Sequence, residues 1–205
     1  ELVGREFCVI VDGKKYKTTS EGFFKTPLGA VQIDSDVAKY LKNNYTILEE
    51  DLTAHENEHC IEVQLPFIVY LFGSGVKIVP IYLVARTLRV ITIVARVLSK
   101  IIKENISETA IIASSNLSQY EHYNILLRKD KYVIDCIQSM NPKKLLDLVE
   151  EKSIRIYNPS VIACAILISY ILKYRKVKIL KYTTTTDINK RKDLSLGFIS
   201  AAFIK

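Results

Sequence analysis

Short β-branched runs alternate with longer segments of helical period along the chain, and this alternation is the strongest constraint on its fold. Phe7–Val11, Ala30–Ile33, Val76–Val84, Thr109–Ser114, Val177–Tyr182 and Leu194–Ile204 are predicted strands, bounded by Gly, Asp or Ser/Thr clusters. Between them the pattern predicts helices at about Asp36–Lys42, Glu62–Phe72, Thr87–Glu104, Lys129–Met140, Pro142–Glu151 and Pro159–Lys173. Several strands are apolar on both faces, which suits strands covered by helices on both sides. The expected fold is therefore one α/β domain over residues 1–205, with a central mixed, largely parallel sheet and helices on both faces. Asn141-Pro142 and Asn158-Pro159 each set an N-cap Asn before a Pro at the first helical position. Thr183–Thr186 reads as a short β-prone stretch.

With 49% hydrophobic and 25% charged residues in 205, the chain can bury a core without a covalent staple. Cys8, Cys60, Cys136 and Cys164 are scattered, with no CxxC pair and no His at metal spacing. That usage suits buried thiols in a reducing, cytoplasmic compartment and argues against a disulfide scaffold or a zinc ribbon. The longest apolar run, Val161–Leu172, is shorter than the ~20 residues of a membrane span. No secretory h-region opens the chain, so no membrane partner is expected.

The formal net charge is +7. In the predicted helix Thr87–Glu104, Leu88, Ile91, Ala95, Leu98 and Ile102 share one face while Arg89, Arg96, Lys100 and Lys103 form a basic one. Further cations cluster at Lys14–Lys17, Lys173–Lys181 and Lys190–Lys192. Charge of this kind makes a nucleic acid a candidate partner but identifies none, and no RRM, KH or OB pattern accompanies it.

The segment His55–Ile68, HENEHCIEVQLPFI, holds more polar chemistry than a core helix needs. Its HENEH string formally supplies HExxH, with His55 and His59 at i, i+4. A zincin also needs both His on one helix and a third ligand, and neither is evident. The segment resembles the signature of the Memo family, also called AmmeMemoRadiSam system protein B. Four more segments resemble that family in order: Thr26–Asp34 (TPLGAVQID), Lys77–Pro80 (KIVP), Ala113–Tyr120 (ASSNLSQY) and Leu196–Phe203 (LGFISAAF).

The resemblance implies a fold like that of the class III extradiol dioxygenases. It also implies a metal site built from two His and a Cys, lined by an Asp and a His of an ASSDLSHY segment. Matched residue by residue, Phe7 or a neighbour stands at a ligand His, Arg155 at the ligand Cys, Asn116 at the Asp and Gln119 at the lining His. Phe offers a metal no lone pair, Arg is permanently cationic, Asn lacks a carboxylate, and Gln moves no proton near neutral pH. His55, His59, Glu62 and Gln64 remain as a residual polar set expected to tie loop backbone around the former pocket.

No cofactor and no metal are expected on this basis. Scaffold motifs persist where ligand and acid–base residues are replaced, which points to a catalytically degenerate, Memo-like binding or scaffold subunit. Two alternatives stand beside it: a metal-dependent enzyme completed by another chain, and a basic nucleic-acid-associated protein. The family's N-terminal segment has no counterpart here. A protein partner, Memo-like or other, covering the N-terminal edge of the sheet is the expectation that follows.

Overall fold

A computed structural model describes residues 8–9, 22–49, 59–73, 75–83, 85, 87–104 and 109–205. They group into two compact units, one of residues 1–85 with 100–114 and one of 86–99 with 115–205. Phe7, His55 and the Lys14–Lys17 cluster lie outside the described residues.

In the first unit, β1 (Cys8–Val9) is followed by a hairpin of β2 (Phe23–Thr26) and β3 (Gly29–Ile33), with Phe23 opposite Gln32 and Thr26 opposite Gly29. The TPLG tetrapeptide makes the turn. Pro27 presets its own φ, Thr26 Oγ1 donates to the Gly29 carbonyl at 2.7 Å, and the Leu28 N–H donates back to Thr26 Oγ1 at 3.2 Å. Gly29 sits at φ +142°, a conformation that side-chain-bearing residues avoid. Asp34 then caps α1 (Ser35–Asn44), accepting from the Asp36 and Val37 amides at 3.2 Å each. β4 (Leu48–Glu49) pairs antiparallel with β1.

Helix was expected from Glu62 to Phe72. Instead a 3-10 turn (Glu62–Gln64) leads into α2 (Leu65–Phe72). Pro66 is the reason: it has no N–H for the Glu62 carbonyl, so that carbonyl takes the Leu65 N–H and the turn tightens. β5 (Lys77–Ile78) pairs parallel to β3, Ile33 beside Ile78. The core here is Val31, Leu65, Ile68, Val69, Val76 and Ile78, with Phe24 and Ile61 packed against it.

α3 (Leu88–Glu104) is the expected amphipath, with Ile91, Ala95 and Ile102 buried and Arg89, Arg96, Lys100 and Lys103 exposed. In the second unit, β6 (Gln119–Glu121) precedes α4 (Tyr123–Gln138), α5 (Pro142–Glu151) and α6 (Pro159–Ile171). Then follow β7 (Lys176–Thr184), α7 (Thr185–Asn189) and β8 (Ser195–Ile204). The three strands form an antiparallel sheet in the order β6-β8-β7, and α4 packs on β7 and β8.

The α/β class is as expected, but the pairing differs from the largely parallel sheet. Among the described residues the strands form three small sheets, and β3–β5 is the parallel pair. The connection between β7 and β8, residues 185–194, is too short for a parallel crossover of a dozen or more residues. Of Val76–Val84, Lys77–Ile78 joins a ladder, and Pro80 has no N–H with which to extend one. Thr109–Ser114 carries no assigned strand, although its β-branched run suits one.

α4 starts at Tyr123, six residues before the predicted Lys129. The threonine run follows its β-prone reading in Thr183–Thr184 of β7 and departs from it at Thr185–Thr186. Thr184 closes β7 and opens α7 through a capping box, its hydroxyl facing the Asp187 amide and the Asp187 carboxylate taking the Thr184 N–H at 2.7 Å.

Candidate functional site

The residues singled out by motif fall in both units, and each group has its own geometry. In the first unit, His59 Nδ1 lies 2.6 Å from Glu62 Oε1, both side chains exposed. Gln64, in the 3-10 turn before α2, donates from Nε2 to Ser114 Oγ at 3.1 Å. That bond joins the EVQLPF segment to the first Ser of ASSNLSQY across fifty residues of chain.

In the second unit the rest of that motif is held from three sides. Ser115 Oγ accepts the backbone N–H of Asn158 at 3.2 Å, and Ser118 bridges antiparallel to Ile156. The segment carrying Arg155 therefore runs beside the segment carrying Asn116. Ile154 and Ile156 are buried while Arg155 between them is exposed, as alternation along extended backbone requires. Asn116 and Gln119 are half-buried. Against β8, the Leu117 N–H donates to the Gly197 carbonyl at 3.1 Å, and the Gly197 N–H donates to the Ser118 carbonyl at 2.9 Å.

Beneath this segment lies a group that the motifs did not flag. Asp130, in the middle of α4, is fully buried. Its Oδ1 accepts the Ser118 N–H at 2.8 Å and its Oδ2 accepts the Tyr182 hydroxyl at 2.7 Å. Burial raises the Asp130 pKa above the usual carboxylate value, and the Tyr182 and Ser118 hydrogen bonds pull against that rise. Burial first, and then the bond to Asp130, push the Tyr182 hydroxyl upward too. A Cβ on Gly197 would stand 1.8 Å from Asp130 Oδ2, so this strand approaches the carboxylate as closely as it does because no side chain intervenes. The sequence held a signal for Asp130. It interrupts the buried stripe Leu126, Val133, Ile137, and an acid on the core face of a helix needs a partner.

Tyr120 carries a second mark of constraint at φ +59°, where β6 shifts register against β8 between Gln119 and Glu121. Bulges with a residue in this conformation re-aim the side chains around them, and Tyr120 itself points to solvent. His122, the next polar ring in sequence, is exposed at the start of α4.

The metal that the resemblance implied has no matching donors at the described positions. The matched side chains are the amides of Asn116 and Gln119 and an exposed guanidinium at Arg155. Among the described residues no three His, Cys, Asp or Glu side chains converge. Two amides and a cation do not suit a divalent transition metal, which takes imidazole, thiolate or carboxylate. Cys136 and Cys164 are buried thiols outside any disulfide, the latter pushed up to about 12 by burial. No helix among the described residues is long and apolar enough to cross a membrane.

The family model for Memo-like proteins matches residues 9–202. A MEMO1 family protein of Methanopyrus kandleri is 30% identical over 191 residues, covering 93% of this chain and 68% of the relative. One of Pyrobaculum aerophilum is 34% identical over 184 residues, covering 90% of this chain and 65% of the relative. One of Caldivirga maquilingensis is 36% identical over 186 residues, covering 91% and 66%. This chain thus spans about two thirds of the length of the curated relatives it matches. By the reach of the match and the order of its motifs, the chain belongs to the Memo family.

Proposed function

We propose that this chain is a catalytically degenerate Memo protein that works by binding, as a cytoplasmic scaffold or subunit of a complex. The observation that carries the reading is the contrast between frame and site. The TPLG turn, the Gln64–Ser114 bond and the closing β8 strand are built as hydrogen-bonded or packed elements. Asn116, Gln119 and Arg155 occupy positions where the family pattern has metal-binding or proton-moving side chains. An extradiol-dioxygenase-like sheet completed by a partner belongs to the same proposal. Metal titration of the wild-type chain beside Asn116→Asp/Gln119→His/Arg155→Cys tests it. Wild type shows no tight site for Fe(II), Cu(II) or Zn(II), in keeping with its donor set. Submicromolar binding by wild type would instead favour an enzyme completed by another chain.

A second reading, association with a polyanion, rests on the β7 edge. Lys173, Arg175, Lys176, Lys178, Lys181 and Lys205 lie on or beside it, and neither residues 159–186 nor residues 194–205 contain an acid. Arg175 stands over Tyr170 at 5.2 Å and Lys205 over Tyr174 at 5.6 Å, so rings lie among the cations beside this edge. Lysines also guard edge strands against unwanted pairing. Anisotropy with a labelled single-stranded oligonucleotide separates the two. Binding that weakens steeply between 50 and 200 mM salt, on the order of tenfold or more, supports association; no binding at 50 mM leaves the lysines as edge guards.

A further inference from the structure

β7 is an end strand of the β6-β8-β7 sheet, and among the described residues no strand pairs with its outer side. One face of the β7–β8 ladder is turned to α4, because the Tyr182 hydroxyl donates to Asp130 there. Lys176 and Lys178, opposite Ile204 and Ala202, lie on the other face. Strict alternation would send Lys181 to the α4 face. The register instead shifts between Ile179 and Lys181, which leaves Leu180 as the extra residue and sets Lys181 opposite Ser200. Ile204, Ala202 and Ser200 alternate along β8, so the three lysines opposite them form one exposed row at steps of about 7 Å. Among the described residues none of the three has a carboxylate partner.

An open strand edge presents both N–H groups and carbonyls, and a chain that donates and accepts can pair with it. A phosphate backbone has no donor for the carbonyls, and Tyr170 and Tyr174 each already hold a cation, at 5.2 and 5.6 Å. A second copy of β7 would set lysine against lysine, and like charges directly opposite repel. Such lysines guard an edge against copies of itself, and the same repulsion selects a strand of opposite charge. An extended strand with an acid at every second residue repeats at the same ~7 Å and meets each lysine in turn.

We infer that the outer edge of β7 takes an extended acidic segment of a partner protein as an added strand, its alternate carboxylates set across from Lys176, Lys178 and Lys181. Ladder hydrogen bonds hold the segment, while the three ion pairs fix its register and exclude basic strands. The inference rests on the reading of this chain as a binding subunit, and it names one surface of that subunit and the chemistry of its partner.

The test uses the full chain and a labelled synthetic peptide of about ten residues, long enough to run along β7, in which Glu alternates with Thr. Three comparison probes go with it: a peptide of the same composition with its acids grouped at one end, the alternating peptide with every backbone amide methylated, and a single-stranded oligonucleotide of equal charge. Anisotropy at low salt, about 50 mM, reads affinity, and hydrogen exchange reads where the peptide lies. The inference expects the alternating peptide to bind at least about tenfold more tightly than the grouped or methylated one, and to slow amide exchange in β7. Lys178→Glu should weaken it on the order of tenfold, and Lys176→Glu/Lys178→Glu/Lys181→Glu should prefer the peptide with Lys in place of Glu. The probe comparisons on the wild-type chain need no variant. Equal binding of the alternating and grouped peptides, no effect of methylation, tighter binding of the oligonucleotide, or no peptide binding would each overturn the inference. Failure of the peptide beside a wild-type chain with no tight metal site removes this inference and leaves the degenerate-site reading in place, whereas a tight metal site removes that reading whichever probe binds.

Discussion

Asp130 accepts the backbone N–H of Ser118 at 2.8 Å from inside the core of the second unit, directly below the segment that carries Asn116 and Gln119. A buried carboxylate is costly unless its lone pairs are used, and here both oxygens are engaged, the second by Tyr182. The arrangement ties a loop to a helix and a strand at one point. It holds the ASSNLSQY segment in shape at Ser118.

Removing that carboxylate should be severe. Asp130→Ala leaves the Ser118 amide and the Tyr182 hydroxyl without their acceptor, a loss of about 2–4 kcal/mol by urea unfolding. Asp130→Asn keeps an acceptor and costs about half as much.

The same pair of proteins isolates a pH effect. A carboxyl whose pKa is raised in the folded state binds more protons folded than unfolded, so its contribution to stability falls as pH rises from about 4. The stability of wild type relative to Asp130→Asn should therefore decline between the ordinary carboxylate range and the raised value. A flat or rising difference would show that the Tyr182 and Ser118 hydrogen bonds cancel or outweigh the effect of burial.

Gly197 and Asp130 should be coupled. Gly197→Ala places a methyl 1.8 Å from Oδ2, so the carboxylate must leave its bonds or the strand must shift, at a cost of about 1–3 kcal/mol or more. In the Asp130→Ala background that methyl enters space already vacated. The double variant should then be more stable than the sum of the single losses predicts, by at least about 1 kcal/mol in a double-mutant cycle.

At the end of β7, Thr184→Ala removes the hydroxyl half of the capping box and should cost about 0.5–2 kcal/mol, with Thr184→Ser restoring most of it. Thermal unfolding of the three proteins checks this. Equal melting temperatures would mean that α7 is held by its neighbours alone.

Local signals in the sequence were the most legible. Asn141-Pro142 marks the start of α5, and the observed helix runs over the predicted Pro142–Glu151. The α3 amphipath follows from its helical period, and the two long strands of the second unit from β-branched runs between Gly, Asp or Ser/Thr clusters. Pairing was less legible, because β-branched runs such as Thr109–Ser114 indicate extended backbone without specifying a neighbour. The capping box was hidden by composition: four threonines favour strand until Asp187 supplies the N3 acceptor. The motif positions Asn116, Gln119 and Arg155 could be named from sequence, whereas the Asp130–Tyr182–Gly197 support beneath two of them required distances between residues far apart in the chain.

Metal content of the purified full chain tests the central claim most directly. Expressed with iron, copper and zinc in the medium, purified without chelator and dialysed, it should carry on the order of 0.1 or less of any transition metal per chain by elemental analysis, as its amide and guanidinium side chains dictate. About one tightly held metal per chain, retained through dialysis, would contradict a degenerate site.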